Sequence, residues 1–265
     1  MQPAAPGRPQ VVAHRGSSHA QPEHTLAAYV AALDEGAEGL ECDVRLTADG
    51  HLVCMHDRRV DRTTNGHGLV STMELAQLDE LDFASWKRPW ADLDDEAPEI
   101  DEQTRGVLSM QRLLESVADY DRPVDLAIET KHPTRYGGLV ERRLVELLAK
   151  FGWDGTGSPA RVMSFSWVAL RRIRRLAPDL RLVFLIDSPL AWASSRPFAE
   201  PDWIAGPGIE LLHRYPDLIR RIRKAGTEVH VWTVNTEADV DLCRELDVSA
   251  VITDKPGATL DYLGA

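Results

Sequence analysis

Glu41 and Asp43 stand one residue apart in residues 39–57 (GLECDVRLTADGHLVCMHD), and the same stretch ends on His56 and Asp57. In extended backbone, residues i and i+2 point to one face, so the two carboxylates project together. Thr47-Ala48-Asp49-Gly50, flanked by apolar runs, is a hairpin signal. The fold-back returns His56 to the neighbourhood of Glu41 and Asp43. Same-face carboxylates beside a histidine can bind a hard cation and place an acid–base group next to it. A surface hairpin with solvated charges is the plainer reading. It leaves unexplained why carboxylates interrupt a Leu/Cys/Val run that reads as half-buried, since buried charges need partners or a metal.

The elements that must position these groups alternate along the chain. Strands are expected at 10–14, 124–129, 161–165, 181–186, 229–234 and 250–253, with a further short one around Gly206-Pro207-Gly208. Helices are expected at 26–34, 71–81, 108–117, 138–150, 167–177, 215–225 and 237–246. Ser71 to Glu74 is the capping-box candidate of the second helix, and Trp167, Leu170, Ile173 and Leu176 mark one face of the fifth. The acidic, tryptophan-bearing stretch 86–102 reads as an irregular surface excursion. Strands alternating with helices, without a linker or a GxGxxG turn, predict a single-domain α/β fold, a (β/α)8 TIM-type barrel with a short irregular insertion after the third strand. Residues 1–9 read as a flexible tail.

Polar residues gather at the predicted strand ends: His14-Arg15, Glu41 and Asp43, His56, Glu129-Thr130-Lys131, Ser164, Trp232 and Asp254. In a β/α barrel the strand C-termini form one mouth, so these separate residues converge there. Trp232 has a plain core reading as well, and Glu129 with Lys131 could be a simple ion pair. His19, His24 and His67 read as loop residues. Arg171, Arg172, Arg174 and Arg175 read as the solvated face of a helix.

The bulk numbers exclude some classes. With 43% hydrophobic and 27% charged residues, 265 residues suit a sizeable core. A net charge of -12 argues against nonspecific nucleic-acid binding or attachment to an anionic membrane. No apolar run reaches membrane-spanning length, and the N-terminal stretch lacks the apolar segment of a secretory signal. Three cysteines, Cys42, Cys54 and Cys243, fit buried free thiols in a reducing, cytoplasmic setting. The oligomeric state is left open.

Taken together, the motifs resemble the glycerophosphodiester phosphodiesterases. The likeness runs over nearly the whole chain: HRG at 14–16 followed by Pro22-Glu23-His24-Thr25, Glu41-x-Asp43-x-x-x-Thr47-x-Asp49-Gly50, His56-Asp57 and DRTTNGHG at 61–68. It continues with IETK at 128–131, Ser164-Phe165, WTVN at 232–235 and TDKP at 253–256. The resemblance implies a phosphodiesterase-type barrel, with Glu41, Asp43 and Glu129 as metal ligands and His14 and His56 as catalytic histidines. It also implies phosphate contacts from Arg15 and Lys131 and a pocket wall at Trp232. The family usually has Asn where this chain has His24. Where the family commonly shows Pro-Thr-Leu, this chain has Leu108-Ser109-Met110.

All-oxygen ligation favours one divalent cation, Mg²⁺ or Ca²⁺, over zinc. The reaction implied is hydrolysis of small glycerophosphodiesters, such as glycerophosphocholine or glycerophosphoethanolamine, to sn-glycerol 3-phosphate and an alcohol. One histidine would act as base and the other as acid. The rival readings are a lysophospholipase D or cyclising phospholipase, with Trp86 and Trp90 lining an acyl groove, and a non-catalytic binding barrel.

Overall fold

Successive strand residues alternate between two apolar clusters in the computed structural model, which describes residues 8–87 and 105–264. β1 (Gln10–His14) sends Val11 and Ala13 to one apolar cluster and Val12 to another. β2 (Gly39–Leu46) places Leu40, Cys42 and Val44 in the first, and β4 (Asp125–Thr130) splits Leu126 and Ile128 from Ala127 in the same way. The first cluster lies between the sheet and its surrounding helices, and the second fills the barrel. Both faces of each strand are covered, which is why the strands are buried throughout.

The parallel strands run in the order β7 (Ile204–Pro207), β6 (Arg181–Ile186), β5 (Ala160–Ser164), β4, β2, β1, β9 (Ala250–Thr253) and β8 (His230–Val231). Parallel bridges from Ala205 to Val229 and from Gly208 to Trp232 join β7 to β8 and close the ring. The fold is therefore a (β/α)8 barrel. β3 (Leu52–Cys54) stands apart, pairing antiparallel with the end of β2, so the expected hairpin is present.

Helices cover the outside through apolar faces and polar caps. In α3 (Met110–Ala118), Met110, Leu113, Leu114 and Val117 recur at helical spacing, and the Ser109 hydroxyl accepts from the Arg112 N–H. Thr25 caps α1 (Leu26–Asp34) and Ser166 caps α5 (Trp167–Leu176) in the same manner. α4 (Leu139–Lys150) and α9 (Glu237–Glu245) stand close to their expected bounds.

Several expectations need correction. The helix expected over 71–81 is a 3-10 turn, Val70–Thr72, followed by the short α2 (Leu75–Asp79). Met73 between them is extended because its carbonyl accepts from Ala48 N–H, and the Asp49 carboxylate takes the Leu75 N–H. The capping box belongs to Glu74 and Gln77 rather than to Ser71. Leu176 is exposed rather than on the buried face, and Arg172 and Arg174 are ion-paired to Glu141, Glu200 and Asp202. The strand expected over 229–234 is regular only at His230–Val231. Among the described residues, three α-helices were not anticipated: α6 (Pro189–Ser195), α7 (Ile209–Arg214) and α10 (Pro256–Leu263). Only α8 (Pro216–Lys224) of the adjacent pair was expected. Of the expected tail, residues 1–7 lie outside the described residues, whereas Arg8 is ion-paired to Glu38 and Pro9 is buried. Trp90 and most of the expected excursion also lie outside the described residues.

Candidate functional site

Strand register assembles the site. His14 pairs with Glu41 across β1 and β2, and Asp43 pairs with Glu129 across β2 and β4. Because these residues share the inward phase of Val12 and Ala127, all four side chains enter the barrel mouth. Carboxylate oxygens of Glu41, Asp43 and Glu129 lie within 4.8 Å of one another, and all three residues are buried.

Two cations answer three negative charges. Lys131 Nζ lies 2.9 Å from Asp43 Oδ1 and 2.8 Å from Glu129 Oε2. Arg15 Nε lies 3.1 Å from Asp43 Oδ2, and its backbone N–H donates to Glu41 Oε2 at 3.1 Å. With all three carboxylates ionised, one negative charge would be left over among these groups. Burial, reinforced by Asp43, raises the Glu41 carboxyl well above the usual range, and the same causes push Glu129 up to about 8. Burial opposes ionisation of Asp43 too, but the hydrogen bond from His24 and the charge of Lys131 outweigh it, holding Asp43 well below the usual range. A buried all-oxygen set, whose full ionisation Arg15 and Lys131 do not compensate, fits a hard divalent cation held by Glu41, Asp43 and Glu129.

Two histidines flank the carboxylates, each with a carboxylate of its own. His14 Nδ1 lies 2.6 Å from Asp254 Oδ1, and its Nε2 points at Glu41 Oε2 from 3.9 Å. His56 Nδ1 lies 2.7 Å from Asp57 Oδ1. A carboxylate on Nδ1 fixes that nitrogen as the N–H and leaves Nε2 for proton transfer. Asp254 is itself held by Ser18 Oγ at 2.9 Å and Asn235 Nδ2 at 2.6 Å, and Asp57 by Arg62 Nε at 2.6 Å. Burial, with Arg15 and Lys131 acting against the pull of Asp43, lowers His56 below its ordinary pKa.

His24 was expected as a loop residue, standing where the family usually has Asn. Instead it is buried, with Nε2 2.9 Å from Asp43 Oδ2 and Nδ1 2.8 Å from the Tyr29 hydroxyl. Its backbone φ is 61° and that of Arg15 is 59°, two left-handed non-glycine residues in one loop. Gly16, between them, has φ of 83°, and a Cβ there would come within 2.5 Å of the Ala28 backbone. The loop is thus pressed onto α1. Glu23, bridged by Arg15 and Arg62, was also missed. Only the motif positions of these residues could have marked them.

Trp232 is half-buried. It packs on the cluster filling the barrel, its Nε1 donates to the Gly206 carbonyl at 2.8 Å, and Phe165 meets it edge-on. Ser164 is a structural residue, donating to the Thr130 carbonyl. Cys42, Cys54 and Cys243 are free and buried, as expected. No helix of the described residues is long and apolar enough to cross a membrane.

The glycerophosphoryl diester phosphodiesterase family model matches residues 14–258. A protein of Mycobacterium tuberculosis strain H37Rv, named probable glycerophosphodiester phosphodiesterase 1, is 48% identical, over 97% of this chain and 93% of that protein. The glycerophosphodiester phosphodiesterase of Bacillus subtilis is 34% identical, over 95% of this chain and 85% of its own. Among solved structures, an Oleispira antarctica phosphodiesterase in complex with the product sn-glycerol-3-phosphate matches with a TM-score of 0.80 at 27% identity, covering 100% of both chains. By the match of the family model and of these relatives over nearly its whole length, this chain belongs to the glycerophosphoryl diester phosphodiesterase family and is a glycerophosphodiester phosphodiesterase.

Proposed function

We propose that the chain hydrolyses glycerophosphodiesters of deacylated phospholipids to sn-glycerol 3-phosphate and an alcohol, with a divalent cation on Glu41, Asp43 and Glu129 and with His14 and His56 as the acid–base pair. The observation that carries this reading is the pair of carboxylate-anchored histidines near the buried carboxylates, His14 Nε2 at 3.9 Å from Glu41 Oε2 and His56 within the influence of the Asp43 charge. Mg²⁺ and Ca²⁺ both suit the oxygen donors, and the bound ion would supply charge to a phosphoryl oxygen. With the three carboxylates ionised around it, a divalent cation would leave the cluster with a single positive charge, matched to a monoanionic diester.

The protein's own groups do the rest. Lys131 and Arg15 attract and orient the phosphate, at the cost of loosening their present carboxylate contacts. One histidine Nε2 takes the proton of the attacking hydroxyl, and the other returns a proton to the leaving alkoxide. That hydroxyl belongs either to water or to the substrate's glycerol. Trp232 offers an apolar wall against the glycerol carbons. The buried thiols support a reducing, cytoplasmic setting.

The test is His14→Ala and His56→Ala, each assayed for glycerol 3-phosphate release and for metal binding by calorimetry. Both variants should lose turnover and keep the metal. Near-normal turnover in either would remove that histidine from the reaction.

A second reading, action on lysolipids, draws on exposed apolar groups following β5 and β6: Phe165, Val168, Leu190 and Phe198. Activity on lysolipid without activity on glycerophosphocholine would favour it.

A further inference from the structure

Beside Lys131, on the side of β2 and β4, a small notch of about 30 Å³ is lined by Arg45, Arg58, Lys131 and Arg135 together with Thr134 and Tyr136. No carboxylate lines it, although the chain carries a net charge of -12. Most arginines elsewhere are ion-paired. These three form no ion pair among the described residues: Arg45 gives Nε and Nη2 to the His56 carbonyl, at 2.9 and 2.5 Å, and Arg135 lies over the Tyr136 ring. The walls are tied in place, since the Tyr136 hydroxyl donates to the Ser71 carbonyl at 2.5 Å. A cavity of that size takes one oxygen of an anion, with the rest of the group open to solvent. Lys131 forms part of the notch and also touches Asp43 and Glu129, so an anion there would adjoin the reacting phosphate.

We propose that this notch is a second anion subsite, which selects diesters whose alcohol portion carries a phosphate or carboxylate of its own. The inference rests on the hydrolase reading above. The glycerol half of a glycerophosphodiester is uncharged, so the second anion must belong to the alcohol. Arg58 and Arg135 are exposed and able to follow a ligand, whereas Arg45 is half-buried and held by the His56 carbonyl. The predicted preference therefore runs away from choline and ethanolamine, whose cations would face three arginines.

The test compares glycerophosphoinositol with glycerophosphoinositol 4-phosphate, which share one alcohol and differ in one phosphate. For the wild-type protein, kcat/KM should be about tenfold or more higher for the phosphorylated diester, because charge-assisted contacts to arginine are the strong ones. In Arg58→Gln/Arg135→Gln that ratio should fall towards one, with turnover of glycerophosphoinositol unchanged. A wild-type ratio of one or below, or a ratio untouched by the double substitution, overturns the subsite. If neither diester turns over, the hydrolase reading has failed instead. The subsite is then decided by calorimetry with inositol 4-phosphate, which should bind about tenfold more weakly to the double variant. Equal affinity for the two proteins overturns it.

Discussion

Removing the carboxylate behind His14 tests the geometry of the acid–base pair without touching either histidine. Asp254 Oδ1 accepts from His14 Nδ1 at 2.6 Å and from Ser18 Oγ at 2.9 Å, while Oδ2 accepts from Asn235 Nδ2 at 2.6 Å. Asp254→Ala leaves the imidazole free to turn and to change tautomer, and removes the anion that stabilises its protonated form. A hydrogen bond to a charged group is worth about 1.5–3 kcal/mol, which corresponds to a roughly 10- to 150-fold fall in kcat/KM. The loss is bounded above by the contribution of the histidine itself, about 10²- to 10⁴-fold. The assay is the initial rate of glycerol 3-phosphate release from glycerophosphocholine, with folding monitored by circular dichroism. Asp254→Asn keeps the volume and removes the charge, so it should fall in the same direction. Adding Asp254→Ala to His14→Ala should cost little more, because the two act as one unit. A folded Asp254→Ala enzyme within about threefold of wild type would refute the reasoning.

Other outcomes follow from the same contacts. His24→Ala removes a buried hydrogen bond to the Asp43 carboxylate and should cost about 1.5–3 kcal/mol in urea denaturation, with a loss under 0.5 kcal/mol counting against a structural role. Gly16→Ala forces a Cβ within 2.5 Å of Ala28 at a φ of 83°, so it should lower both stability and activity; unchanged melting would show that the loop yields. His230 is buried against Glu228 at the opposite end of the barrel, and burial lowers it from 6.5 to about 4. Below pH 6.5 the unfolded chain takes up a proton that the native state refuses. Stability should therefore fall as pH drops from 6.5 towards 4, by an amount on the order of 3 kcal/mol, and this contribution should be flat above 6.5. Denaturation midpoints that do not move between pH 7.5 and 5 would contradict it.

The period of two in GLECDVRL was enough to put Glu41 and Asp43 on one face, and the same rule applied to IETK paired Glu129 with Lys131. What one sequence could not supply was register. That Asp43 stands opposite Glu129, and His14 opposite Glu41, depends on hydrogen bonds between strands remote in the chain. His24 was misjudged because a histidine among loop residues is ordinarily solvated, and only its contacts with Asp43 and Tyr29 reveal the burial. Helical spacing over 71–81 was real, but Asp49 and Ala48 reach in from the hairpin and take the backbone groups that a continuous helix would need. Tertiary hydrogen bonds overrode local propensity there. The carboxylates behind the histidines, Asp57 and Asp254, were visible as motif letters; their role emerges only from distances.

The most direct test of the account is glycerol 3-phosphate release from glycerophosphocholine with Mg²⁺, with Ca²⁺, and after exhaustive chelation, for wild type and Glu129→Gln. The account predicts release that chelation abolishes and added cation restores, with weaker cation binding in Glu129→Gln, so that its activity saturates only at higher cation concentration. Release undiminished by chelation would contradict a cation on Glu41, Asp43 and Glu129.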